Sequence, residues 1–299
     1  MLAGDVHVRL AATSELDAAV ALASTAIEPQ WRLGPGALRR ALADALVAEV
    51  DGDIVGLCAL HQAGDVATIN LVAVRPDHRR RGIGRAMVGH AADDLRARGA
   101  QSIRAAGSGP YLWPGIPRDL AGASAFAEAC GWVRDGEVCD MTRTLADFSL
   151  PSSVMTSMDA MGIALGLATA SERDQVARIA PTHWYRGWDA YFAASQPADV
   201  VVARDAHQQV VAALIIGRPG DPEGWRRMLG NTVCTIGCVG TTREARGQGI
   251  GTALVGVASE ILRDAGGTVC HIGWTTLLDF YGRLGYRSWR TYTTAGMAL

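Results

Sequence analysis

A short arginine–glycine motif occurs twice in this chain, 167 positions apart and in the same setting, and it constrains the fold more than any other feature. The first copy is Arg79-Arg80-Arg81-Gly82-Ile83-Gly84, and the second is Arg246-Gly247-Gln248-Gly249-Ile250-Gly251. Each follows an apolar run with strand character, residues 68–74 and 232–240, and each opens a helical pattern, residues 86–95 and 253–262. A strand that turns through glycines into a helix gathers free backbone N–H groups and the positive end of the helix dipole at one point, which suits a pyrophosphate. One such motif is weak evidence, because glycines at these positions also serve only to let strand and helix approach closely. Two copies in matching contexts argue for a duplicated module. The spacing departs from the dinucleotide fingerprint, which needs a third glycine and an acidic residue roughly 20 positions on. A Walker loop is excluded, since neither copy ends in Gly-Lys-Ser/Thr and the chain contains no lysine.

A length of 299 residues accommodates two domains that each bury a core. The net charge of −2 gives no basic footprint for nucleic acid and no polybasic membrane patch. The first ten residues lack a positive region followed by an apolar core, and no apolar stretch approaches ~18 residues, so the expectation is a soluble cytoplasmic protein. Cys58, Cys130, Cys139, Cys234, Cys238 and Cys270 form no paired Cys-x-x-Cys arrangement, and several stand in apolar strand-like runs. They read as free thiols, with no metal expected.

The first module reads as a strand (6–10), two helices (14–26 and 36–46), and two strands (46–50 and 54–61) joined by a turn at Asp51-Gly52. The motif strand and helix follow, then a strand-helix-strand set over 102–143. The second module repeats the order from residue 162, with strands at 200–204 and 209–216 before its motif. Ser14-Glu15 and Ser171-Glu172 each open a helix, so the repeat begins well ahead of the glycines. The expected division is a first module over 1–148, a linker over 149–160 marked by Pro151 and the absence of any period, and a second module over 161–299. Insertions distinguish the copies. Residues 218–231 lengthen the second, and residues 107–122, with Tyr111, Trp113 and three prolines, lengthen the first, either covering an apolar sheet edge or lining a pocket.

At these residues the chain resembles the GNAT superfamily of acyl-CoA-dependent N-acetyltransferases, whose central motif is a hydrophobic strand, Gln/Arg-x-x-Gly-x-Gly/Ala, and a helix. Residues 72–84 are close to its commonest form and residues 239–251 are similar. The superfamily's late motif, aromatic-Tyr-x-x-Leu-Gly-aromatic, stands at Phe280–Tyr286, and its first-half counterpart runs from Phe126 to Trp132. The resemblance covers nearly the whole chain. It implies an α/β (α+β) fold of two tandem modules, each a mixed, mostly antiparallel central sheet flanked by helices.

What the resemblance implies for the site follows residue by residue. Acetyl-CoA, as co-substrate, would lie on Arg246, Gly247, Gln248, Gly249, Ile250, Gly251 and Thr252, with Cys238, Val239 and Gly240 on the splayed motif strand. The first-module equivalents are Val72, Val74, Arg79, Arg80, Arg81, Gly82, Ile83, Gly84 and Arg85. The family's late tyrosine, which protonates the departing thiolate, falls on Tyr281, whereas the first module has Ala127 in that column. The second module would then be catalytic and the first silent. The other reading of Tyr281 is a core aromatic whose hydroxyl bonds backbone. The motif strand of the second module carries no carboxylate, so the base candidates are Asp279, His183 and Asp189, or a water relay. Asp279 reads equally as a helix cap. His183, Trp184, Arg186 and Asp189 belong to the segment between the first two helices, one lip of the family's acceptor site, although its aromatics suit inter-module packing as well.

Residues 270–292 and the Trp113-Pro114-Gly115-Ile116-Pro117 loop are similar to those of tandem GNAT proteins that acetylate glucosamine or glucosaminides. The implied acceptor is a small-molecule amine, most simply an amino sugar or aminoglycoside-type antibiotic, with no nucleic-acid or membrane partner and a monomer or homodimer as the assembly. Mycothiol-synthase-like enzymes are the alternative acetyltransferases, although their usual Asn-x-Pro-Ala run before the late tyrosine is absent here. A non-catalytic acyl-CoA binder is the alternative from another class, and it would have no use for Tyr281.

Overall fold

The computed structural model describes residues 6–107, 112–185, 187–221 and 223–299. Its chain forms two compact units. The first comprises residues 1–139, 223–228 and 290–299, and the second comprises 140–222 and 229–289.

In chain order the first part of the molecule is β1 (His7–Leu10), α1 (Leu16–Ala26), α2 (Pro35–Ala41), β2 (Ala45–Val50), β3 (Asp53–Ala63), β4 (Val66–Val74), α3 (Ile83–Ala97), β5 (Ser102–Ala105), β6 (Ile116–Pro117), α4 (Ala123–Ala129) and β7 (Val133–Thr144). The remainder is α5 (Ser152–Ala160), β8 (Ala164–Leu167), α6 (Ala170–His183), α7 (Trp188–Ala194), β9 (Val200–Arg204), β10 (Val210–Gly217), α8 (Glu223–Leu229), β11 (Val233–Thr241), α9 (Ile250–Asp264), β12 (Val269–Thr275), α10 (Leu278–Gly282) and β13 (Arg287–Ala298).

The sheet of the first unit runs β1-β2-β3-β4-β5, antiparallel except for the β4–β5 pair, and residues 296–298 of β13 pair antiparallel with β5. Asp51 and Gly52, at φ 53° and 85°, form the expected two-residue hairpin between β2 and β3. Helix α3 lays Ile83, Met87, Val88, Ala91 and Leu95 on this sheet, and these side chains form one buried cluster with Leu46, Cys58, Leu60, Ile69 and Ile103. Full burial of each large aliphatic side chain contributes about 1.5–3 kcal/mol.

The second unit repeats the plan as β12-β11-β10-β9-β8, again antiparallel apart from β11–β12, with β7 beside β12. Helices α6 and α7 bring Val176, Ala180 and Phe192 onto Val200, Val202, Val210 and Ala213. Thr169 caps α6 by accepting from Glu172 N, and the Glu172 carboxylate returns to Thr169 N at 2.7 Å. Among the described residues no helix is long and apolar enough to cross a membrane.

Three expectations change. The helix expected over 36–46 ends at Ala41, because residues 45–50 are committed to β2. The segment expected as a linker carries α5, which begins directly after Pro151, buries Met158, and is preceded by Leu150 seated against Gly256 of α9. Burial rather than sequence period makes that helix. Residues 290–299 belong to the first unit, a destination that the order of motifs along the chain does not announce.

Candidate active site

Both glycine loops have the same backbone. The second residue, Arg80 or Gly247, is left-handed at φ 63° and 78°, and the fourth, Gly82 or Gly249, is left-handed at 84° and 80° and caps the following helix. The first bonds of the helices are Ala86 N to Gly82 O and Ala253 N to Gly249 O, so the N–H groups ahead of them have no helical acceptor. A Cβ on Gly82 meets nothing within 4 Å, and one on Gly249 meets only Met158 Cε at 4.0 Å. Open space therefore faces both N-termini, as an anion cradle requires.

The side chains of these loops have structural duties. Arg79 Nε donates to Val74 O at 3.0 Å and its Nη2 to Ala26 O at 2.6 Å; Arg246 Nε donates to Thr241 O and its Nη2 to His183 O, each at 3.2 Å. Arg81 and Gln248 reach back four residues to Asp77 O and Glu244 O. The first arginine of each motif thus ties the loop to the end of the strand and to the C-terminus of the first helix, leaving the backbone as the cradle. The last glycine of each motif is a packing seat. A Cβ on Gly84 would lie 2.9 Å from Phe126, and one on Gly251 would lie 3.4 Å from Phe280.

The parallel strand pairs part at equivalent places. β4 and β5 pair only as far as Ile69↔Ala105, and β11 and β12 only as far as Ile236↔Ile272, although β11 continues to Thr241 and β12 to Thr275. On its other edge β11 stays joined to β10 through a bulge between Ile215↔Gly237 and Ala213↔Gly240, where Cys238 is left-handed at φ 52°. The edge of residues 237–241 that would continue the ladder with β12 is left open at a wedge. Trp184, at the end of α6, fills the space over Gly240 so closely that any Cβ there would enter its ring. Gly240 is consequently a seat for Trp184.

Helix α10 separates two of the expected site residues. Tyr281 is 5% exposed, and no hydrogen bond joins its hydroxyl to another described residue. Burial, followed by the thiols of Cys270 and Cys238, pushes its pKa above the usual tyrosine range. Tyr286 contrasts with it, being a core tyrosine whose hydroxyl meets Ser259 Oγ at 2.8 Å. Asp279 is exposed, two positions before Tyr281 and so on the opposite face of the helix, and it lines an outer cleft of about 680 Å³ with Met141, Arg283 and Arg287. It makes no N-cap bond, since the N-cap of α10 is Leu277.

Asp189 lines a second cleft, of about 760 Å³, with Pro181, Thr182, Gly187 and Ala190, and its Oδ1 accepts from Gly187 N at 3.0 Å. His183 contributes its carbonyl to Arg246. Tyr111 and Arg186 lie outside the described residues. Burial holds the Cys238 thiol at a pKa of about 12, so it stays protonated at neutral pH.

In the first unit Ala127 is buried in the column of Tyr281. The segment between α1 and α2 differs just as sharply from its second-unit counterpart. Trp31 is fully buried, with Trp113 and Tyr292 edge-on at 5.9 and 5.7 Å and the Arg290 guanidinium 3.8 Å over its ring. In the second unit Tyr185 and Tyr191 of the equivalent segment are exposed.

One cluster escaped the sequence altogether. Asp140 of β7 is completely buried, and its Oδ2 lies 3.2 Å from His271 Nε2 of β12. Its Oδ1 accepts Trp274 N–H at 3.0 Å, and the His271 ring meets Trp289 edge-on at 5.8 Å. Asp140 and His271 stand 131 positions apart, so no local spacing could pair them.

Known proteins share this fold. The profile of the acetyltransferase (GNAT) family matches residues 14–110 and 168–286. A mycothiol acetyltransferase of Kineococcus radiotolerans is 36% identical over 160 residues, which is 50% of this chain and 47% of that protein. The chain therefore spans about half the length of this curated relative. A GCN5-related glucosamine N-acetyltransferase region in a fungal multi-domain GH3 β-N-acetylglucosaminidase superimposes with a TM-score of 0.90 at 25% identity, covering 98% of this chain and 38% of that one. A tandem GNAT protein from the clavulanic acid biosynthesis pathway superimposes with a TM-score of 0.67 at 16% identity, covering 98% of both chains.

Proposed function

Since the chain belongs to the acetyltransferase (GNAT) family and has a tandem fold, we propose that it is an N-acetyltransferase whose second unit transfers the acetyl group of acetyl-CoA to the primary amine of an amino sugar. The observation that carries the acceptor class is the similarity over 98% of the chain, at a TM-score of 0.90, to a glucosamine N-acetyltransferase region. The observation that supports the module is Tyr281, a buried ring whose hydroxyl has no partner among the described residues, where the first unit has Ala127.

The chemistry assigns each part a task. The free N–H groups at the start of α9 hold the pyrophosphate of acetyl-CoA, and the open edge of β11 after Ile236 offers backbone N–H to the thioester carbonyl as it becomes negative. The neutral amine attacks the carbonyl carbon, a C–N bond forms and the C–S bond breaks. The departing sulfur takes a proton from Tyr281, which is then reprotonated from solvent, and the surplus proton of the amine leaves through water. With its thiol held protonated, Cys238 is a poor nucleophile at neutral pH, which favours direct transfer within a ternary complex. Asp189, at the 760 Å³ cleft beside α6 and α7, is the carboxylate placed to meet a cationic or hydroxylated part of the acceptor.

The mycothiol acetyltransferase relative favours a second reading, in which the acceptor amine belongs to a cysteinyl sugar conjugate. Mass spectrometry of the protein with acetyl-CoA and, in parallel, glucosamine, an aminoglycoside and a cysteinyl glucosamine conjugate tests both. An N-acetyl product from glucosamine or the aminoglycoside supports the first reading, and product from the cysteinyl compound alone replaces it with the second. Binding of acetyl-CoA with no product from any amine would leave a CoA-binding protein.

A further inference from the structure

Trp274 stands in β12 two residues beyond the last β11–β12 pair and seven before Tyr281, between the wedge and the proposed acid. Its backbone is left-handed at φ 53°, a conformation that is unfavourable for a bulky side chain. Such strain persists only where surrounding structure over-determines it. Here a fully buried carboxylate does so, since Asp140 Oδ1 takes the Trp274 N–H while Oδ2 faces His271. Burying a carboxylate is costly in its own right. Both costs are borne by a side chain left half in solvent: the indole is 47% exposed, and Leu277 and Leu278, three and four residues on, are exposed as well. An arrangement serving packing alone would bury the ring.

We propose that the Trp274 indole is the platform on which the ring of the acceptor rests, and that Asp140 is the positioning residue that holds it there. This deepens the amino-sugar reading and rests on it. A saturated hydroxylated ring has an apolar C–H face that covers an aromatic surface and hydroxyl edges that stay in water, which matches a half-exposed indole. An acyclic amine of the same charge has no such face.

Trp274→Gly tests the platform without endangering the fold, because glycine adopts φ 53° freely. The expected result is a KM for glucosamine raised ~3- to 10-fold, with kcat, the KM for acetyl-CoA and the KM for ethanolamine unchanged and a melting temperature no lower than wild type. Asp140→Ala should reproduce the glucosamine effect, whereas Asp140→Asn, which keeps an acceptor oxygen for Trp274 N–H, should restore KM to within about twofold of wild type. The indole N–H resonance of Trp274, assigned by its absence in Trp274→Gly, reads the contact without turnover and must shift with glucosamine in wild type. If Asp140→Ala fails to fold, that shift in Asp140→Asn decides the positioning role: retained, it supports the role; lost, it overturns it. Turnover of glucosamine with an unchanged KM in Trp274→Gly overturns the platform and leaves the amino-sugar reading standing. Absence of glucosamine turnover removes that reading, and the resonance then separates the two: a shift sustains the platform, and no shift overturns it as well.

Discussion

At the scale of single residues, the two tyrosines of the late motif make opposite predictions. Tyr281→Phe keeps the ring and removes the proton, so kcat should fall ~10²-fold or more with little change in the KM for acetyl-CoA, the range for a positioned general acid. Tyr286→Phe loses its bond to Ser259 and should cost on the order of 1 kcal/mol of stability while turnover persists. Thermal melts and steady-state kinetics on both variants check the pair, and a destabilised but fully active Tyr281→Phe protein refutes the acid role. Because burial raises the Tyr281 pKa, its acid form persists as pH rises through the ordinary tyrosine value of about 10. The kcat–pH profile should therefore show no loss from this group up to that pH. A protonated Cys238 thiol leads to the expectation that acetyl-CoA alone leaves no acetyl adduct on Cys238, which peptide mass spectrometry reads directly. The identity of Tyr281 was legible in the sequence, whereas the face on which Asp279 falls was not, because it depends on where a five-residue helix docks.

At the scale of elements, the strand-loop-helix unit behaves as one device used twice. Gly249→Asn tests the copy assigned to turnover: asparagine tolerates φ 80° better than most residues, and its Cβ would meet only Met158 Cε, at 4.0 Å. The KM for acetyl-CoA should rise about tenfold or more at nearly unchanged melting temperature. Gly82→Asn, the same change in the first unit, should leave kcat within a few fold, even if calorimetry loses one CoA-binding event. A loss as large as that of Gly249→Asn would move catalysis to the first unit. The glycines, the paired strands and the Asp51-Gly52 hairpin were legible because each is a local rule of backbone geometry. The duties of Arg79 and Arg246 were not, since their acceptors at Ala26 and His183 lie 53 and 63 positions away. Helix α5 was hidden for a related reason, its stability coming from Leu150 and Met158 rather than from its own pattern.

At the scale of the whole molecule, the sequence told of duplication but not of how the copies came to differ. In the first unit the aromatic cluster around Trp31 draws on the loop at Trp113 and on Tyr292, so three distant segments fill the region whose second-unit counterpart displays Tyr185 and Tyr191. Tyr292→Ala should cost ~3–5 kcal/mol, and the amides of β5, paired with β13 from Gly296 to Ala298, should lose hydrogen-exchange protection first. Protection lost first on β9 and β10 instead would contradict this assignment. The pairing of Gly296 with Arg104 also sets a timetable. Synthesis proceeds from the N-terminus, and the unit that emerges first lacks its strand beside β5 until some 190 further residues have been made. The first unit must wait on the ribosome, its β5 edge open, for a strand made some 190 residues later, so it is during translation that this edge is most exposed to mispairing with its neighbours.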